Sequence, residues 1–487
     1  MKKKFFVLFA FLSFAACSDF LEVPSNEFLS IDEQFKDYSG SKIALAGVYF
    51  KLEAWYSTQS NFIYADVMGG NLTFTPRTTG SNAGIISVPI AIINFYNFND
   101  ISLESNFTTY YADAYSIINN ANNVINFADN LPDATTIQKN QLKAEALAAR
   151  AFIHYNLLQM YGQTFNFSVN ANHKGIVYAD KILVGGVDFP ARKSVAESYT
   201  LIIADLQNAL LLFSNQQSLS GPSYSYFNTI TTKAFLARVA LQKRDWILAI
   251  TMANEVIASS ETSLMTTTNY ISEWEKPNLP PSETLLEFSP PTDTTIPNLI
   301  TRTIATFFKV PISASENPGN YTCSSDLFNL FTDGDVRKNN FTTINLQVKD
   351  ITGQFAPQPF YFTKKFQDNA GTIVMRLSEM HLIVAEAYAR QNNVLALNSL
   401  NIIRQRANLA ALTSTTNILD EILLERRKEL CFEGHLFFDL ARFNKNIVRF
   451  DCLSLQCNLT FPNPKMVLPI PFSSIKVNQN IIQNESY

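Results

Sequence analysis

The run AEALAARAFIHYNLLQMYG, residues 144–162, decides the fold. Ala144, Ala148 and Ala151 recur at three- and four-residue spacing and are mixed with the larger Phe152, Tyr155 and Leu158. That period places an apolar stripe on one side of a helix, and small side chains within the stripe let a second helix approach closely. Gly162 is well placed to end the helix. The same pattern returns further on, with Ala234, Ala237 and Ala240 beside Phe235 and Leu241.

Working outward, the periodicity predicts helices over 110–130, 136–161, 194–213, 229–243 and 246–259, and again over 375–391, 394–408, 418–432 and 435–443. An earlier helix is expected over 30–55, where Ser30 and Glu33 can cap each other's backbone donors; Ser194 and Glu197 repeat that box. Arg244-Asp245 makes a tight turn. Short connections between apolar-faced helices give antiparallel pairs, so the expected class is mainly α, a stack of degenerate tetratricopeptide-like hairpins without a strict repeat length.

Two stretches break the pattern. Residues 65–106 are rich in Gly, Asn, Thr and aromatic residues and read as loops decorating the scaffold. Residues 261–371 carry prolines and short β-prone runs at 284–288 and 361–366, and read as a loop-and-strand insertion. The expected division is 30–260, 261–374 and 375–487.

The chain begins Met1-Lys2-Lys3-Lys4, followed by an apolar run from Phe5 to Phe14 and then Ala15-Ala16-Cys17. A basic start, a short apolar core and small residues before a cysteine form an export signal over 1–16, with Cys17 as the acylated residue. Residues 17–29 would be the tether. The whole chain carries 38 Lys and Arg against 42 Asp and Glu, and loss of the signal removes three lysines and no acid. A basic nucleic-acid footprint is absent.

Export allows disulfides. Of the five cysteines, Cys452 and Cys457 flank a short segment that a hairpin-like loop could close. No histidine lies near them, which argues against metal ligation: the four are His154, His173, His381 and His435. His381 and Glu386 share a helix without metal-ligand spacing. There is no HExxH, no Gly-x-Ser-x-Gly and no phosphate-cradling glycine loop, so no enzyme and no cofactor is expected.

Several segments, taken in order, carry a resemblance. These are Arg150-Ala151-Phe152 through Tyr161-Gly162, Arg376-Leu377-Ser378-Glu379 with Ala385-Glu386-Ala387, and Asn401-Ile402-Ile403-Arg404. After them come Glu425-Arg426-Arg427-Lys428-Glu429-Leu430, Phe432-Glu433-Gly434, Asp439-Leu440-Ala441-Arg442 and Leu468-Pro469-Ile470-Pro471. Together they resemble the landmarks of SusD/RagB-type surface lipoproteins, with Leu436 standing where an Arg is common. The charged landmarks read as an ion-pair network that fixes how helices dock, with Arg426 and Arg427 able to reach Glu429, Glu433 or neighbouring helix ends.

The resemblance implies a lipid-anchored outer-membrane protein facing the exterior, which captures oligosaccharide for a SusC-like TonB-dependent transporter. Peptide capture and a protein-docking adaptor are the alternatives. Sugars are held by flat aromatic rings and by planar amide, carboxylate or guanidinium groups. The candidates are therefore Asp66, Asn71, Arg77, Phe95, Tyr96, Phe98 and Asn99, joined by Tyr270, Trp274 and Tyr321. With only 3 Trp against 39 Phe, a starch-like platform is disfavoured and the glycan itself is unread.

Overall fold

The computed structural model describes residues 30–487 except 215, 260, 290–303, 314–315 and 367–370. The signal, Cys17 and the tether lie outside the described residues. No helix among them is long and apolar enough to cross a membrane.

Seven helices build the first part: α1 (Tyr38–Tyr56), α2 (Gln59–Gly69), α3 (Thr108–Phe127), α4 (Thr136–Tyr161), α5 (Val195–Leu212), α6 (Thr229–Lys243) and α7 (Trp246–Ala258). In the last part follow α8 (Leu377–Ala389), α9 (Ala396–Arg406), α10 (Ile418–Glu429), α11 (Leu436–Arg442) and, near the end, a short helix at Phe472–Val477. From α3 to α10 each helix packs on the next, so the stack runs unbroken although more than a hundred residues separate α7 from α8. The alanine pattern explains the close packing: Ala144, Ala148, Ala151, Ala234, Ala237 and Ala240 are all fully buried. Phe152 fills the space they leave and meets Phe235 at 5.1 Å and Phe288 at 5.4 Å. Burying such a ring stabilises the fold by about 2–3 kcal/mol.

Local chemistry sets the ends. Ser194 and Glu197 form the expected capping box on α5, and Thr135 with Gln138 forms another on α4. The helix expected over 30–55 is broken in two. A single turn, Ile31–Gln34, stops at Phe35, and Asp37 restarts the chain as α1 by accepting from the Gly40 N–H. The helix expected from 375 begins at Leu377, because Met375 and Arg376 are committed to a strand. The one expected to reach 432 ends at Glu429; beyond it Phe432 and Gly434 take positive φ of 67° and 82°. Residues 65–69, expected as loop, belong to α2.

Three small sheets complete the fold. A four-stranded sheet runs β1 (Leu72–Phe74), β3 (Tyr321–Cys323), β5 (Phe355–Thr363), β4 (Phe341–Lys349) in that spatial order. β2 (Thr284–Phe288) pairs antiparallel with β6 (Thr372–Arg376), and β7 (Ile447–Val448) with β8 (Asn458–Leu459). Cys452 and Cys457 are disulfide-bonded, with Cα atoms 5.8 Å apart. Because β1 comes from the first helical part, the strands of 261–374 are woven into the scaffold.

The charged landmarks form the expected buried network, with partners that spacing did not give. Glu429 takes Arg376 at 2.9 Å, Arg337 at 3.0 Å and Arg406 at 2.5 Å, while Glu433 takes Lys365 and Arg376, each at 2.7 Å. Arg426 turns away to Asp439 at 2.8 Å, and Arg427 to Asp326 at 2.6 Å. Sequence neighbours on one helix face different elements, so each charge reads a different docking partner. Leu436 packs on Gly69, where an added Cβ would lie 2.7 Å from its Cγ, so an apolar contact joins α2 to α11 at that position.

Candidate ligand-binding face

Of the residues expected to meet ligand, only Arg77 and Asn99 are exposed. The expectation of exposed loop aromatics fails for the others for reasons visible in their contacts. Asp66 is fully buried at the end of α2 and accepts from the N–H groups of Phe432 and Gly434, each at 2.9 Å, and from Asn71 Nδ2 at 2.8 Å. Asn71 in turn accepts from Arg427 Nε at 2.9 Å. Burial pushes the Asp66 carboxyl up to about 6, against these hydrogen bonds. The pair fastens α2 to the turn after α10.

Phe95 is wedged between Tyr64 and Phe107. Tyr96 and Phe98 sandwich the Arg449 guanidinium, 4.3 and 4.8 Å from their ring centres. Arg449 is 5% exposed, and its donors go to the carbonyl oxygens of Tyr96, Gln456 and Cys457. Burial lowers it to about 10. Tyr270 and Trp274 cover the ion-pair network, with Arg406 4.7 Å from one ring and Lys365 4.8 Å from the other. Tyr321 is buried and accepts from Gln59 at 2.8 Å.

The structure instead exposes a face around Arg77. The β4–β5 hairpin is in register from Phe341↔Thr363 to Lys349↔Phe355. Side chains alternate across a strand, so Ile344, Leu346 and Val348 face inward with Phe360 and Phe362 in a small apolar cluster joined by Ile86. The opposite side carries Asn345, Gln347 and Lys349 against Pro359, Pro357 and Phe355, all exposed. Phe355 is 54% exposed, a large ring presented to solvent.

The loop after β1 closes one end of this face. Arg77 and Gly84 are joined by a 2.8 Å backbone hydrogen bond, and Lys349 N–H donates to the Gly84 carbonyl at 2.9 Å. Gly84 has φ +78°, and a Cβ there would lie 2.5 Å from the Phe355 ring, so only glycine permits this approach. Thr78 is tied to Asn317 at 3.0 Å and to the Glu316 carbonyl at 2.8 Å. The loop that carries Arg77 is thus held by Asn317 at one end and abuts the Phe355 ring at Gly84. The sequence signal was present in the alternation of 341–349 followed by a polar turn containing Gly353.

Among the described residues no group of three or more His, Cys, Asp and Glu could hold a metal ion. His154 Nε2 accepts from the Ala179 N–H at 3.0 Å, and Glu386 is bound to Arg442 at 2.7 Å.

The fold and this face define a helical scaffold that carries an open hairpin surface. Residues 34–241 match the family model described as starch-binding associating with outer membrane, and residues 264–487 match that of the SusD family. A SusD-like protein of Bacteroides ovatus is 24% identical over 486 residues, spanning 91% of this chain and 82% of its own. A SusD superfamily crystal structure from Bacteroides vulgatus superposes with a TM-score of 0.79 at 23% identity, over 93% of this chain and 99% of that one. A laminarin-binding SusD-like protein superposes with a TM-score of 0.69 at 22% identity, over 93% of this chain and all of the other. The chain belongs to the SusD family.

Proposed function

We propose that this protein is an outer-membrane lipoprotein, anchored through Cys17 and facing the cell exterior, that binds an oligosaccharide on the hairpin face and passes it to a SusC-like TonB-dependent transporter. The observation that carries the reading is the exposed Phe355 ring, opposite Lys349 on the hairpin side that also carries Gln347 and Asn345, and against the loop that bears Arg77. Stacking of a sugar face on an aromatic ring, with amides and a guanidinium bonding its hydroxyls, needs no titrating group. The family description and the laminarin-binding relative support a glycan ligand. Asp66, Asn71, Phe95, Tyr96, Phe98, Tyr270 and Trp274 hold the scaffold that presents this face, and Asn99 is exposed at its edge of the fold.

One feature favours a second ligand class: β4 is the free edge of its sheet, so an extended peptide could add to it as a further strand. Calorimetric titration of the purified protein with neutral oligosaccharides, laminarin fragments among them, and with peptides separates the two. Glycan binding that Phe355→Ala and Arg77→Ala each weaken at least tenfold, without a change in melting temperature, is the expected result. Binding of peptides alone would overturn the glycan reading.

A further inference from the structure

Away from the hairpin face, the connection between α5 and α6 and the segment leading into β2 border a half-open cavity of about 250 Å³. None of the hairpin-face residues lines it. Its apolar wall is Tyr224, Ile230, Leu279, Pro280, Pro281 and Leu285, and its polar wall includes Thr231, Thr262 and Thr284. Thr284 is 4% exposed, and its hydroxyl, like that of Thr262, is buried without a hydrogen-bond partner.

A smaller hollow lies on the other side of the same segment, sharing Lys276, Leu279, Pro280 and Pro281 and bounded by Trp274. The indole Nε1 of Trp274 is also buried without a partner. An orphaned buried donor costs roughly 1–3 kcal/mol. Three of them surround one short piece of chain. A threonine moves between staggered χ1 wells, and both Thr262 and Thr284 border the cavity, so each orphaned hydroxyl has a ligand-sized space within its own residue's reach.

We infer that this cavity is a second ligand pocket, taking one neutral sugar ring. Hydroxyl groups both donate and accept, which suits a ligand made of hydroxyls. Tyr224 and the two prolines offer flat surface to its C–H face. The volume is just under the roughly 300–1,000 Å³ of pockets for larger ligands, so a single ring fits and an extended chain does not. Lys276 at the rim is already bound to Glu273 at 2.6 Å, and Glu261 beside it is exposed, so no unpaired cation awaits an anionic ligand.

The test is ligand-observed NMR titration of the purified protein with glucose, galactose and N-acetylglucosamine. Saturable binding of at least one is expected, weakened at least fivefold by Thr284→Val and by Tyr224→Ala. Thr284→Val should melt no lower than the parent, since it removes a hydroxyl that has no partner. No saturable binding of any of the three would overturn the proposal, and so would binding that both substitutions leave intact. A loss in Phe355→Ala equal to that in Tyr224→Ala would mean one shared site and would overturn it too.

Discussion

Arg376 reaches Glu429 twice, donating to its Oε1 at 2.9 Å and to its backbone carbonyl at 2.6 Å, with both side chains almost wholly removed from solvent. Burial alone would raise the Glu429 carboxyl; the guanidinium groups of Arg406, Arg376 and Arg337 override it and hold the group well below the usual carboxylate range. Glu429→Gln keeps the shape and removes the charge that three arginines face. Breaking one partner of a buried pair costs roughly 3–5 kcal/mol. Urea unfolding should show a loss of that order, and an unchanged midpoint would mean that the network contributes nothing to stability.

Asp100 behaves in the opposite sense. Burial raises it to about 6, although Ser105 and the Asn106 N–H bond to it. Between the unfolded value of about 3.9 and about 6, the folded state holds a proton that the unfolded state has lost. This group's contribution to stability therefore grows as pH falls from 7 toward 4, by something on the order of 2–3 kcal/mol in all. Asp100→Asn cannot titrate. Its stability relative to the parent should decline across that window when unfolding is followed at pH 7, 6 and 5, whereas a constant difference would place the titration elsewhere.

Tyr96 and Phe355 should separate structure from binding. Tyr96 is 2% exposed, meets Phe74 at 5.0 Å and accepts from the Leu453 N–H at 3.0 Å. Tyr96→Ala should cost roughly 3–5 kcal/mol, as large-to-small changes of buried rings do. Phe355→Ala should leave the melting temperature within a degree or so and weaken glycan binding. The reverse pattern would move the ligand to the Tyr96 side of the fold.

Reduction offers a local probe. The Cys452–Cys457 bridge closes the loop whose carbonyls at Gln456 and Cys457 hold Arg449. By the chain-entropy account, so short a loop gives roughly 2 kcal/mol. A thiol reductant, or the double Cys→Ser variant, should lower the melting temperature by a few degrees. Identical melting with and without reductant would show that Tyr96 and Phe98 hold Arg449 unaided.

The scaffold was legible in the sequence because its signal is local: the alanine-and-aromatic period of 144–158 and the capping pairs lie within a turn or two of what they determine. Where reading went astray, a distant partner decided. Met375 and Arg376 look helical until β2 claims them, and spacing left Arg427 open between Glu429, Glu433 and neighbouring helix ends, of which the fold selects Asp326, at the start of a short helix, with Asn71 beside it. The candidate site was less legible for the same reason. Phe95 and Tyr96 sit in a polar, turn-rich stretch that suggests exposure; Phe95 is buried between Tyr64 of α2 and Phe107 just before α3, and Tyr96 by Arg449 far along the chain. Exposure is a property of the assembled surface, and only the alternation of 341–349 hinted where it would fall.

The cations of the network have a bearing on the order in which the protein assembles. Arg337, Lys365 and Arg376 all precede the carboxylates of Glu425, Glu429 and Glu433 that neutralise them. A chain that has emerged only as far as residue 420 already pairs Arg337 with Asp335 and Arg376 with Glu283, but Lys365 still lacks its carboxylate, Glu433. Glu425, Glu429 and Glu433 then add the remaining carboxylates, so the final stretch of the chain is what completes the charge balance at the centre of the molecule.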